Sequence, residues 1–154
     1  MHRVRLFAIA ASVLVHMVTP SQASKDDVQL GRMTYSAFEC FMFAEMAGNK
    51  EEAERLFNVA IRAGRQFLEA LTKGRLSEDE VRTQVPIGVT LKLGGPSIDF
   101  MLGRIYEGAT DQAYNAIVSQ DENGLPLQSR IEDKDLRRTK AEGKYLRGNC
   151  VLIR

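Results

Sequence analysis

The sequence predicts a single compact all-α domain of four to five helices around a central αα-hairpin, stapled by one disulfide. Three observations carry this. Apolar residues recur at helical spacing along most of the chain. Gly, Pro and capping residues cut it into segments of helical length. Two cysteines, Cys40 and Cys150, follow an N-terminus with the features of an export signal, so one intramolecular pairing is expected in an oxidising compartment.

The chain opens on a short basic stretch, Met1-His2-Arg3-Val4-Arg5, and an apolar run from Leu6 to Val18. Thr19-Pro20 breaks the run, and Ser21-Gln22-Ala23 places small residues at the −3 and −1 positions of a cleavage site. These are the three parts of a cleavable secretory signal peptide. The run of 13 residues is too short for a bilayer, which needs about 20. Residues 1–23 are therefore expected to be removed, leaving 24–154 as a single helical domain. Ser24 follows the site, so no lipid anchor is implied, and Arg3 and Arg5 form no twin-arginine pair. The compact signal suits a bacterial periplasm, and no later segment is long and apolar enough to span a membrane.

Cleavage changes the inventory. Both histidines, His2 and His16, leave with the signal, as do Arg3 and Arg5. What stays is 131 residues with 19 basic and 20 acidic side chains, a net charge of −1. Such a balance carries no electrostatic footprint for nucleic acid or an anionic membrane. A Cys40–Cys150 disulfide would close a loop of over 100 residues. In the chain-entropy model that stabilises by roughly 4–5 kcal/mol.

Residues 24–33 are polar, show no strong period, and read as a short N-terminal stretch that is ordered or frays. From Thr34 to Ala47 the chain is apolar on nearly every side, which marks a central, buried helix. Gly48 closes it, and Asn49 with Glu52 forms a capping-box pattern for the next helix, Lys50 to Thr72. Leu56, Val59, Ala60, Ala63, Phe67 and Leu71 form its inner face, while Asn58, Arg62, Arg65 and Glu69 lie outside. Gly64, mid-helix, is expected to permit close helix contact. Ser77-Glu78-Asp79-Glu80 starts a short helix that must end before Pro86. Residues 87–93 fit helix or strand equally. Gly94-Gly95-Pro96-Ser97 precedes a helix from about Ser97 to Ser119. The segment 121–126 is a turn. A charged helix from about Glu132 to Leu146 is followed by an apolar tail that Cys150 pins to the body.

The missing histidine removes most catalytic options from residues 24–154. A Ser-His-Asp triad, a Cys-His nucleophile and His-based zinc sites are all excluded. No phosphate-binding loop is present, and Asp121-Glu122-Asn123-Gly124 lacks the alternating ligands of a calcium loop. No metal or other cofactor is expected. Carboxylate chemistry survives. Glu39 and Glu45 sit in an apolar helix, where burial would raise a pKa toward general-acid use. They could equally snorkel or pair with Arg62 or Arg65. Asp99 and Glu107 lie near Arg104 and Tyr106. Asp99 also suits a first helical turn, and Glu107 is spaced to pair with Arg104. The segment 93–107 concentrates the candidate binding residues: Gly94, Gly95, Ser97, Asp99, Arg104, Tyr106 and Glu107. Amides at that helix start could hold an anion, and a tight helix junction explains the same residues.

In size, export, helicity and a disulfide, the chain is similar to small exported helical immunity proteins that neutralise toxins delivered to the periplasm. No motif carries that likeness. It implies a non-enzymatic binding protein of inhibitor or immunity type, with another protein of the cell envelope as partner and without nucleic acid or membrane anchor. The alternative is a carboxylate-based hydrolase acting on cell-wall glycan, which requires two carboxyls about 5–10 Å apart in a cleft.

Overall fold

The computed structural model describes residues 22–154, with side chains from residue 24. The expected signal segment thus lies outside the described residues, apart from the backbone of 22 and 23. The described chain is all-α, with six helices: α1 Gln22–Ala47, α2 Lys50–Thr72, α3 Glu78–Gln84, α4 Ile87–Thr90, α5 Ile98–Val118 and α6 Lys134–Arg147. A 3-10 turn at Cys150–Leu152 ends it.

α1 is the axis of the molecule and packs against every other element. With α2 it forms the expected hairpin, turned at Gly48. The Asn49 side chain accepts from the Glu52 amide at 3.3 Å. The reciprocal half of the expected capping box is not made, because the Glu52 carboxylate bonds Arg55 and Tyr145 instead. The box at α3 is complete: Ser77 Oγ accepts from Glu80 N at 3.2 Å, and Glu80 Oε2 accepts from Ser77 N at 2.9 Å. α4 resolves the ambiguity at 87–93 as one helical turn followed by a non-helical connection. Ser97 caps α5 by accepting from the Phe100 amide at 3.1 Å.

Of the two readings of the polar stretch 24–33, ordered or fraying, the structure shows the ordered one, and in helical form. It is the first two to three turns of α1, with Val28 2% and Asp27 7% exposed. Val28, Gly31, Tyr35 and Phe38 follow helical spacing. Part of that face is carried by a residue with no side chain: a Cβ at Gly31 would lie 2.9 Å from the Phe67 ring. Asp27 is held by a two-pronged ion pair to Arg75, at 2.9 and 3.0 Å. A reading based on apolar side chains passes over both devices.

The core has two parts along α1. One is built on Phe38, Phe67, Leu68, Leu102 and Ile105, and the other on Phe43, Leu56, Ala113, Ile117 and Ala141. The disulfide belongs to the second. Cys40 and Cys150 are bonded, their Cα atoms 5.6 Å apart across 110 residues. Between α1, α2 and α5, the rings of Phe38, Phe41, Phe57 and Tyr106 form an aromatic cluster, with centroids 5.2–6.1 Å apart. Such tilted and edge-on pairs add to the stability of area burial alone. No helix among the described residues is long and apolar enough to cross a membrane.

Candidate functional site

The segment 93–107 closes on itself. Phe100 lies over Gly95, where a Cβ would meet the ring at 2.2 Å. Arg104 stands 5.9 Å from the same ring centroid and donates to the Gly94 carbonyl at 2.7 Å. Ser97 occupies the α5 N-terminus as its cap, and Asp99 accepts from Arg65 of α2 at 3.1 Å. Tyr106 belongs to the aromatic cluster, and Glu107 is exposed without pairing to Arg104. Apart from Glu107, each of these groups has a local structural use, so the junction accounts for most of the residue pattern that suggested an anion site.

The four candidate carboxylates do not converge. Asp99 lies at the start of α5, while Glu39 meets Gln112, 13 residues further along. At 1.5 Å rise per residue that separation is about 20 Å. Glu45 and Glu107 are exposed. Neither Glu39 nor Glu45 pairs with Arg62 or Arg65, and Arg65 turns to Asp99.

Glu39 is the one carboxylate of the four that is not exposed. It is half-buried between α1 and α5. Burial pushes it up to about 6, against the opposing hydrogen bond from the Gln112 amide at 3.2 Å. The same Gln112 accepts from the Tyr35 hydroxyl at 2.9 Å. Burial, then the Glu39 charge, raises the Tyr35 phenol. This Tyr35–Gln112–Glu39 chain is a satisfied polar bridge in the interface, not a paired acid–base site.

Comparison with protein-family models, with curated proteins and with solved structures returns no match. The site therefore has to be argued from this geometry.

The most elaborate polar construction lies outside the candidate site residues that the sequence offered. Glu52 receives Arg55 on both carboxylate oxygens, at 2.9 and 2.7 Å, and the Tyr145 hydroxyl from α6 at 2.5 Å. These bonds, those from Arg55 foremost, hold its carboxyl down at about 2. Arg55 also donates to the carbonyls of Ile153 and Cys150. One guanidinium thus ties α2 to the C-terminal segment beside the disulfide. The i,i+3 spacing of Glu52 and Arg55 was visible in the sequence, but its link to Tyr145 and residues 150–153 spans over 90 positions.

The C-terminal segment itself departs from expectation. It does not return all its apolar residues to the body. Cys150 is fully buried and Ile153 packs on both cores, yet Val151 is 60% and Leu152 68% exposed. At three residues per turn of the 3-10 helix, positions 150 and 153 share one side and 151 and 152 face away from it, and the disulfide fixes which side faces in. A groove of about 570 Å³ runs on the α1 side of this segment, and one of about 360 Å³ on the α2 side. A third, of about 500 Å³, separates the α1–α2 turn from α6. No group of His, Cys, Asp and Glu able to hold a metal ion occurs among the described residues.

Proposed function

We propose that the protein is a non-enzymatic binding protein of the periplasm. It is exported through a cleavable signal peptide and acts, as an inhibitor or immunity protein does, by holding another protein of the cell envelope. The observation that carries this is the locked display of Val151 and Leu152. A disulfide, the Arg55 bonds and the buried Cys150 fix the segment, yet its two apolar side chains stand in solvent. Ordering a segment before binding lowers the entropic cost of association. Exposed apolar groups on a rigid segment gain most when a partner covers them. The dispersal of Glu39, Glu45, Asp99 and Glu107 supports binding over glycan hydrolysis, which needs two carboxyls in one cleft.

The test is capture from periplasmic extract with the oxidised protein, the reduced protein and a Val151→Asp/Leu152→Asp variant. The oxidised protein should retain a specific partner that the variant releases. Recovery of no specific partner by either redox form overturns the proposal.

A further inference from the structure

We infer that the two grooves flanking residues 150–154 form a single docking surface for an acidic segment of a protein partner, its carboxylates held by arginine and its apolar side chains by Val151 and Leu152. This rests on the binding function proposed above and names the chemistry of the occupant.

The charge lining is the first observation. Arg32 and Arg154 line the α1-side groove, and Arg55, Arg62 and Arg154 line the α2-side groove. No acidic side chain lines either. The whole chain carries 21 basic and 20 acidic residues; Arg55 is matched to Glu52, so the local departure from balance lies in Arg32, Arg62 and Arg154. Arg62 and Arg154 make no ion pair among the described residues. The groove beside α6 differs in having an acidic lining residue, Glu142, paired with its Arg138 at 3.2 Å.

Residue type is the second observation. All four cations are arginine, whose planar fork matches a carboxylate on two hydrogen bonds, whereas lysine acts as a point charge. Shape is the third. Two concave grooves on either side of a narrow apolar ridge fit an extended or helical chain that straddles the ridge. A lipid surface is flat and would meet only the ridge. The ridge also distinguishes the occupant from a bare anion, which has nothing to place on Val151 and Leu152.

The test is fluorescence anisotropy with a labelled Glu-Leu-Glu-Glu-Leu-Glu peptide, its glutamine-for-glutamate counterpart, and vesicles of equal parts phosphatidylglycerol and phosphatidylcholine. The oxidised protein should bind the acidic peptide over the glutamine one, and added salt should weaken binding. An Arg62→Glu/Arg154→Glu variant should bind about tenfold more weakly or worse, the equivalent of losing one good charge-assisted bond. A Lys50→Glu/Lys134→Glu variant changes the net charge equally, away from the grooves and at helix starts that favour acids. It should bind as the parent does. Equal weakening by both variants, no preference for the acidic peptide, or binding to vesicles alone each overturns the inference. The capture experiment separates the two proposals. If Arg62→Glu/Arg154→Glu retains the envelope partner undiminished, the acidic-segment inference fails and the binding function stands. If no partner is captured, the binding function fails, and the peptide titration still decides the chemistry of the grooves.

Discussion

A Cβ at position 64 would lie 2.4 Å from Leu102 Cδ1 and 2.9 Å from Thr34 Cγ2. Gly64 is thus a point of close approach of α2 to α5 and α1, as its mid-helix position suggested. The close approach outweighs the helix propensity that alanine would add. Gly64→Ala should lower stability by about 1–3 kcal/mol through overpacking, read as a shift in the urea midpoint. A neutral or stabilising result would show that the helices can part without cost. Glu39 offers a second test at this scale. Its carboxyl rises from 4.5 to about 6 on folding, so the folded state holds the proton more tightly. Its contribution to stability should therefore be fully present below pH 4.5 and be lost as pH rises to about 6, after which Glu39 adds no slope. Glu52 acts in the opposite sense and in a separate window. Its carboxyl falls from 4.5 to about 2, so its contribution is present above pH 4.5 and lost as pH falls toward 2. Denaturant midpoints across pH should lose the upper feature in Glu39→Gln and keep the lower one. An unchanged profile in Glu39→Gln would contradict the assignment. Apolar neighbours on α1 marked Glu39 and Glu45 alike as candidates for burial, and of the two only Glu39 is half-buried. Its bond to Gln112, 73 positions away, was not.

At the scale of elements, α6 is the instructive case. Its sequence is mostly charged, and Lys140 and Ala141 are its buried residues. An apolar stripe does not hold it in place. The Lys140 ammonium reaches the end of α5 and donates to the carbonyls of Ile117, at 3.0 Å, and Gln120. A cation at the negative end of a helix dipole satisfies carbonyls that have no partner within their own helix. Lys140→Met keeps the stem and removes the donor. It should cost about 1–3 kcal/mol, the penalty for leaving buried acceptors unmet, measured by thermal unfolding. An unchanged transition would mean that water replaces the ammonium freely. The disulfide and the Tyr145–Glu52 bond complete the attachment. Cys40→Ala/Cys150→Ala should lower stability by as much as about 4–5 kcal/mol and speed amide exchange first in residues 148–154. Uniform acceleration across α1 and α2 would instead show that the bridge supports the whole core. The existence and bounds of α2 were plain in the sequence because its two faces separate cleanly. α6 was legible as a helix, but its docking was not, since a buried lysine looks like any other charge.

At the scale of the molecule, the placement of the cysteines connects fold and compartment. A bridge between α1 and the last turn suits an oxidising environment, which agrees with the proposed export. The mature protein recovered from the periplasm of a bacterial host should begin at Ser24, by intact-mass measurement. A mass that includes residues 1–23 would refute cleavage. Cleavage there would leave nearly all of α1 intact, since the helix starts at Gln22, and Ser24 and Asp27 are already buried against the fold.

By itself the sequence determined the all-α class, the α1–α2 hairpin, the caps at Asn49 and Ser77, and the Cys40–Cys150 pairing. Helical periodicity and capping are local, and two cysteines permit one bridge. Tertiary structure alone decided that residues 24–33 extend α1, that the segment 93–107 closes on its own glycines, and that Arg55 anchors the C-terminal segment. It also decided that Val151 and Leu152 face outward between arginine-lined grooves. These outcomes depend on glycine contacts, on bonds across 90 or more residues and on the direction a tethered turn faces. None of them has a period along the chain, because each is set by which surfaces meet after the helices pack.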